Sequence, residues 1–568
     1  METLRDAPFG QICRLLSHWN LFLYPEERDP DFVKRCVRNL DEARGRDRAA
    51  READPAIGSG ENYTGFTLTA QVSHVKASTH PSSNIESTNR TADLEKERTI
   101  AIVGWAGPDD SQNPQLWTFT KKSFVTVQIC LLTFAIYVGS AIYSPAIPST
   151  AQHFHVSRVT ATLGLSLFVA GYGLGPMVWA PLSEVPPIGR SPIYIATTLV
   201  FVCFQLAVVY AKNIGMFLAF RFLTGFIGSP SLGTGGASLC DMWDAKARAY
   251  ALGVWGAVAV CGPTLGPLVG GFAVQAKGWR WSIWELMWAS GFTLVLLFFC
   301  LPETSGANIL LRRAARMRRV TRNSSLKSAS EMEASKTSKK DLAFEAFVRL
   351  FQLCFSEPIV FVLNLYIALI YGLLYIWFEA FPIVFIEIHG FNLGQNGLAF
   401  LGTFVGSLVG SAVYFWWVAK VRNPKFNEHN ELAPEEQLPP STVGAFLLPI
   451  SLFWFGWTSY ASIHWISPIM AGLFFAVGGC LVVNSVFNYM ADAYPPYAAS
   501  ALGSNDFMRS MFAAGFPLFA TAMFHNLDVG WACTLLGCLS LVFLPFPFIL
   551  VRYGRRMRMA SRWARHDL

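Results

Sequence analysis

Apolar runs of about 20 residues recur from Phe124 onward, and each is long enough to cross about 30 Å of hydrocarbon as a helix. They fall at roughly 124–146, 160–182, 192–211, 215–238, 250–274 and 282–301, then at 358–382, 397–419, 443–463, 467–489, 500–523 and 531–552. A chain of 568 residues suggests about four soluble domains by length alone. Only 15% of its residues are charged and 52% are hydrophobic, whereas a soluble domain carries about 25% charge. Four small cores cannot hide that much apolar surface. The same composition excludes a mostly disordered chain, a fibrous repeat and a small disulfide scaffold. The 18 Trp and 46 Phe supply the aromatic mass that lipid-facing helices carry. The pattern predicts an all-α membrane protein of twelve transmembrane helices in two six-helix bundles.

The gaps between the runs divide the chain. Residues 1–120 are polar and mixed in charge, with a charge-dense stretch at Asp41–Arg51 and crowded Ser, Thr and Asn over 73–92. They read as a largely disordered cytosolic arm. Within the arm, the run from Phe9 to Leu16 is either a short amphipathic helix or a poorly ordered terminus. A first bundle follows at 121–303, a central loop at 304–355, a second bundle at 356–552 and a basic tail at 553–568. Residues 1–30 show no apolar core of a signal peptide, so the first span is expected to direct insertion. The net charge of +7 lies largely between the apolar runs, which reads as membrane topology and not as nucleic-acid binding. Lys121 and Lys122, the arginines from Arg312 to Arg322, Lys420, Arg422 and Lys425, and the tail arginines Arg552, Arg555, Arg556 and Arg558 all fall on one side if both ends are cytosolic. The opposite loops carry only Arg158, Lys212, Lys277 and Arg280. This orientation leaves the sequons at Asn62, Asn89 and Asn323 unglycosylated. The cysteines sit mostly inside apolar stretches (Cys130, Cys203, Cys261, Cys300, Cys480), show no metal-ligand spacing and read as small hydrophobes.

Charged and small residues within the runs bear on mechanism. Glycines recur every four residues in span 5 (Gly262, Gly266, Gly270), span 8 (Gly402, Gly406, Gly410), span 2 (Gly171, Gly175) and span 4 (Gly225, Ser229, Gly233), placing small residues on one helix face. Such faces serve as static packing. For spans 5 and 8, at mirrored distances from the central loop, a sliding interface between two rigid halves is the preferred reading. Arg221 in span 4 is an intramembrane arginine, read as tuning a proton site or pairing with a carboxylate rather than snorkelling. Glu379 lies in aromatic surroundings toward the end of span 7, which suits a proton-coupled group as well as a water-facing interfacial carboxylate. Glu285 and Asp506 read as interfacial charges. Gln128, Tyr137, Tyr172, Asn364, Tyr371, Tyr375, Phe378, Asn484 and Asn488 are candidates to line a central cavity, where a mostly apolar pocket with few polar anchors suits hydrophobic ligands of varied structure. No Gly-Lys pair and no His-Glu-x-x-His occurs, so neither ATP-driven transport nor metalloprotease chemistry is expected. The reading calls for no cofactor and no metal.

Four segments carry a family resemblance. They are Gly173 to Glu184 followed by Gly189 and Arg190; Arg221-Phe-Leu-Thr-Gly225; the run Gly262, Pro263, Gly266, Pro267, Gly270 and Gly271; and Asp492-Ala-Tyr494 with Ala498–Ala501, Arg509 and Ser510. With Pro302-Glu303-Thr304, they resemble the major facilitator superfamily, and more closely its fungal twelve-span drug:proton antiporters of the azole, benomyl and caffeine resistance type, over about residues 110–552. The span 5 run resembles the antiporter signature. The resemblance implies a cytosolic latch in which Glu184 meets the start of span 11, capped by Ser500, while Arg190 pairs with Asp241. In this chain Val185 to Ile188 lengthens the spacing from Glu184 to Gly189, and span 1 has no acidic residue. The implied function is a plasma-membrane exporter, driven by the proton gradient, that moves hydrophobic or cationic drugs and toxins by alternating access as a monomer. Arg221 and Glu379 are the expected proton-coupling residues. A dedicated exporter of a fungal metabolite or polyamine fits the same frame, and a non-transporting nutrient sensor with a long arm is the reading from another class.

Overall fold

The computed structural model describes residues 2–28, 32, 101–107, 109–334, 348, 351–428, 432–561 and 563–566. Long helices dominate these residues, as expected where lipid offers the backbone no hydrogen-bond partner. Span 1 is Phe119–Ala141, span 2 Arg158–Glu184, span 3 Ser191–Val209, span 5 Ala245–Lys277 and span 6 Trp279–Cys300. Span 4 runs as Ile214–Gly228 and, past Ser229, as Pro230–Met242. In the second half, span 7 is Pro358–Phe381, span 8 Leu401–Trp417, span 9 Pro439–Thr458 and span 10 Ile466–Ala493. The helix Ala498–Phe543 has 46 residues, which would make about 69 Å of straight helix, over twice the hydrocarbon depth. It breaks at Asp528, where φ is 62° and ψ 158°. The segment therefore holds two crossings, span 11 over 498–527 and span 12 over 529–543, continued by Pro545–Ala560. The described residues thus make twelve crossings, and both ends of the chain lie on one face, called here the ends face.

Local chemistry sets the helix starts. Thr118, Ser157, Asn213 and Ser305 each accept a backbone N–H of the first turn, satisfying a donor that the helix itself leaves free. Gly278, at φ 85°, ends span 5 and opens span 6 in a single residue.

Small residues set which spans touch. Spans 2 and 4 interlock: a Cβ at Gly171 would lie 2.3 Å from the Phe222 carbonyl oxygen, and one at Gly225 would lie 2.1 Å from that of Phe168. Spans 1 and 5, 3 and 6, 7 and 11, 8 and 10, and 9 and 10 pack within their halves, while spans 2 with 11, and 5 with 8 and 10, meet across them.

Outside the membrane, the described parts of the arm form short elements. Residues in 2–28 form the short helices Glu2–Asp6, Pro8–Leu16 and Pro25–Arg28, so the run from Phe9 is helical. Pro25–Arg28 packs beside the helix Gly306–Thr321 of the central loop, while Glu2–Asp6 and Pro8–Leu16 pack against span 6. Ala101–Val103 pairs in parallel with Leu326–Ser328. Arg313 reaches both carboxylate oxygens of Asp110 at 2.6 and 2.7 Å, and Arg316 bonds Glu26 at 2.7 Å beneath the Tyr24 ring. Two arginines of the loop's basic cluster, Arg313 and Arg316, are thereby buried against the arm. The stretches 41–51 and 73–92 and the sequons Asn62 and Asn89 lie outside the described residues.

Candidate functional site

A buried polar cluster lies on the seam between the halves. Tyr371, near the midpoint of span 7, and Tyr137 of span 1 both receive hydrogen bonds from Arg509 of span 11, the first at 3.4 Å. Arg509 pairs with Asp506 one helical turn earlier, and both side chains are 1% exposed. The guanidinium also stands over the rings of Tyr371 and Phe487, 4.7 and 5.5 Å from their centroids. Tyr375 continues the network, with its hydroxyl 2.6 Å from Ser140 and 2.9 Å from the Tyr172 hydroxyl. Spans 1 and 2 of one half are thus hydrogen-bonded to spans 7 and 11 of the other. Burying an ion pair is tolerable only when both charges are matched and their remaining atoms hydrogen-bonded, and the tyrosine hydroxyls meet that need for Arg509. Among the described residues Asp506 keeps one oxygen without a hydrogen-bond partner.

Glu379 marks the seam nearer the face opposite the chain ends. Its Oε2 accepts from Arg158 at the start of span 2, at 3.2 Å, and from the Thr521 hydroxyl of span 11, at 2.8 Å. Its Oε1 has no partner among the described residues. Glu379 is therefore a buried carboxylate pairing across the halves and not a water-facing one. Close to it, the Ser144 hydroxyl donates to the Phe378 carbonyl at 3.5 Å.

The other expected residues sort by half. Arg221 is fully buried within the first half, donating to the Gly164 carbonyl at 2.8 Å and the Gly139 carbonyl at 3.1 Å, with the Phe168 and Tyr143 rings beneath it. The carboxylate partner read for it is replaced by carbonyl dipoles. Asn364 joins spans 7 and 11, with Ser504 and Asn505 each 3.0 Å away. Asn488 donates to the Tyr414 hydroxyl at 3.0 Å. Asn484 faces Gly256 of span 5, and both its amide atoms lack a partner among the described residues. Tyr371 and Tyr375 thus come together at the seam, Asn484 faces span 5 across it, and Asn364 and Asn488 bond inside the second half.

The implied latch forms in part. Arg190 meets Asp241 at 3.2 Å, but both belong to the first half, so this pair does not close the seam. Glu184 is exposed near them. Span 11 begins without a side-chain cap, so the capping role read for Ser500 is not realised. Cross-half contacts at the ends face come instead from Arg248 with Asp492, 3.9 Å apart, and from Asn423 donating to the Tyr250 hydroxyl at 3.2 Å. Glu303 has a clear task. Its carboxylate accepts the backbone N–H of Arg190 and Ser191, at 3.1 and 3.2 Å, and those of Thr304 and Ser305, complementing the positive end of span 3.

The glycine ladders also correct their reading. A Cβ at Gly262, Gly266 or Gly270 would strike span 1, the last 2.2 Å from the Ile142 carbonyl oxygen. Gly402, Gly406 and Gly410 face span 10 in the same way. Both ladders lock helices inside a half. The contact between halves at this level is made by neighbouring residues: Gly271 against the Leu393 carbonyl, and the Pro267 carbonyl against Gly397. Pro263 and Pro267 lie inside the span 5 helix.

Sequence reasoning placed Asp506 at the membrane interface, whereas it is buried and paired with Arg509. The available signal was their three-residue spacing inside an apolar run, which puts both on one helix face.

The sequence model of the Major Facilitator Superfamily matches residues 129–517. The cycloheximide resistance protein of Candida maltosa is 36% identical over 99% of this chain and 99% of its own length. Fluconazole resistance protein 1 of Saccharomyces cerevisiae is 39% identical over 85% of this chain and 88% of its own. Among solved structures, the proton:xylose symporter XylE is similar with a TM-score of 0.55 at 15% identity, covering 77% of this chain and 97% of that one, a likeness of fold. Family match, twelve crossings and paired bundles agree: the chain belongs to the major facilitator superfamily.

Proposed function

We propose that the chain is a proton-coupled exporter of hydrophobic and cationic toxic compounds, seated in the plasma membrane with both ends cytosolic and active as a monomer. It performs no chemistry on its cargo. The resistance proteins named above support the substrate class. The observation that carries the reading is the Asp506–Arg509 pair held by tyrosines from both halves. Charges are costly inside the bilayer and mark ion or substrate pathways. A cationic cargo can take the place of Arg509 at Asp506, with Tyr137, Tyr172, Tyr371 and Tyr375 offering ring faces to it. A proton arriving at Asp506 or Glu379 removes the negative charge that holds the cargo or the Arg158 contact. Rocking of one half against the other then exchanges which face is open. Arg221 acts as a positioning residue that fixes spans 1, 2 and 4 to each other.

The test is flux in proteoliposomes under an imposed pH gradient, with fluconazole, cycloheximide and a rhodamine dye as probes. Gradient-driven uptake is expected in the intact protein, with collapse when a protonophore is added and loss in Asp506→Asn. Transport indifferent to the gradient overturns proton coupling. Binding of all probes without movement of any supports a sensor instead.

A further inference from the structure

The helix Pro8–Leu16 has two faces of opposite character. On one, Gln11 donates to the Tyr24 hydroxyl at 2.7 Å. Arg14, fully buried, bonds the Phe22 carbonyl at 2.6 Å and both oxygens of Glu27 at 2.6 and 2.9 Å. On the other, Phe9, Ile12, Leu15 and Leu16 recur at helical spacing, forming one apolar stripe. Ile12 is 44% exposed, Leu15 59% and Leu16 78%.

The stripe begins at the membrane. The Phe9 ring lies 4.9 Å from that of Phe299 and 6.2 Å from that of Phe298, at the last turn of span 6. Span 6 turns Phe292, Val295 and Phe299 outward along its length, the lipid-facing surface of a bilayer-spanning helix. The exposed stripe therefore continues the lipid-facing belt from Phe299 through Phe9 to Leu16. The helix cannot roll to hide its apolar face, because that would strip Arg14 of its buried partners. A Lys121–Asp6 contact of 3.7 Å ties the preceding short helix to the start of span 1.

We infer that Pro8–Leu16 lies in the bilayer surface, with Phe9, Ile12, Leu15 and Leu16 in the boundary between headgroups and acyl chains. The occupant of the stripe is lipid. Glu26 and Glu27 of the same segment bind Arg316 and Arg14, so this seat anchors the arm that covers the central-loop helix Gly306–Thr321.

The full chain, reconstituted in vesicles of phosphatidylcholine and phosphatidylglycerol, carries a photoreactive benzoylphenylalanine at Leu16. Phe292 on span 6 is the lipid-facing control and exposed Asn323 the aqueous control. Mass spectrometry after illumination is expected to find phospholipid adducts at Leu16 and Phe292 and none at Asn323. No adduct at Leu16 alongside adducts at Phe292 overturns the proposal. Cross-links from Leu16 to a second copy also overturn it, because the stripe is then an interface between copies. A second measurement covers perturbation by the probe: Leu15→Ser with Leu16→Ser is expected to raise amide exchange in Pro8–Leu16 about tenfold in vesicles, and unchanged exchange counts against the lipid seat.

Discussion

Arg221 and Arg509 are both fully buried among the spans, and the chain neutralises them in different ways. Arg221 is held by two backbone carbonyls and two aromatic faces, all from the first half. Arg509 is held by a carboxylate and two tyrosine hydroxyls, and one of the tyrosines belongs to the opposite half. A guanidinium fixed by carbonyls within one half has no partner to exchange across the seam, which makes Arg221 the proposed staple. In the rocking motion proposed above, a guanidinium whose partners divide across the seam must change partners when the seam opens, which makes Arg509 the proposed switch. Equal burial of the same residue type therefore says little about role; the placement of the counter-groups decides it.

The comparison breaks most visibly at Asp506. Asp506→Leu leaves Arg509 charged and unpaired, a change that costs about 3–5 kcal/mol. The double variant Asp506→Leu with Arg509→Met is expected to recover most of that stability in detergent unfolding while remaining inactive in flux. Equal stability of the single and double variants removes the ion-pair account. Arg221→Met is expected to cost less, about 1–3 kcal/mol, because the carbonyls it frees are shared with helix hydrogen bonds. Residual transport in Arg221→Met should keep the pH midpoint of the intact protein. A displaced midpoint would make Arg221 a coupling group and not a staple.

Span count, the six-and-six division and the common face of the ends follow from run length and loop charge, because both report transfer between water and lipid. Tyr137, Tyr172, Tyr371, Tyr375 and Glu379 are legible as polar residues inside apolar runs. Asp506 is not, because its distance from the nominal end of span 11 resembles that of an interfacial charge, and its partner is visible only once helix phase is known. The glycine ladders fail for a related reason. A four-residue period identifies a close-packed face, but which helix fills it is a tertiary fact, and Ile142 and Leu473 lie in neighbouring spans of the same half. The described ends of the arm add contacts that composition does not show: Asp110 and Glu26 find arginines about 200 and 290 residues away in sequence.

A third buried arginine sharpens the contrast outside the bilayer. Arg313 grips Asp110 with two bonds. Burial pushes the Asp110 carboxyl up, but the Arg313 hydrogen bonds and charge outweigh it, leaving it below the ordinary value of 3.8. A carboxyl depressed in the folded state contributes stability that is present above 3.8 and lost as pH falls through its lower folded value. Docking of the arm on Gly306–Thr321 is thus expected to hold at mildly acidic pH and to loosen only in strong acid. Spin labels at His18 and Asn323 report the distance. In Asp110→Asn the labels should separate already at neutral pH, and an unchanged distance there means that the strands and the Glu26–Arg316 contact suffice without this pair.

The smallest effect is expected at Glu379, where the switch idea meets a partly exposed partner. Arg158 keeps 36% of its side chain exposed while Glu379 is buried, so solvent screening limits the pair to about 0.2–1 kcal/mol. Thr521 stays bonded to the neutral amide in Glu379→Gln, so the fold should be nearly unperturbed. What should move is the balance between states, because the Arg158–Glu379 contact exists only while the two halves meet at the face opposite the chain ends. Amide exchange at the start of span 2 and the end of span 7 is expected to rise together, by a few-fold, in Glu379→Gln and in Arg158→Gln alike. The double variant should add nothing further, since either change alone already removes the contact. Additive effects would mean that the two residues act on the seam independently, and the closing contact on that face would then have to be sought at Ser144 and the Phe378 carbonyl.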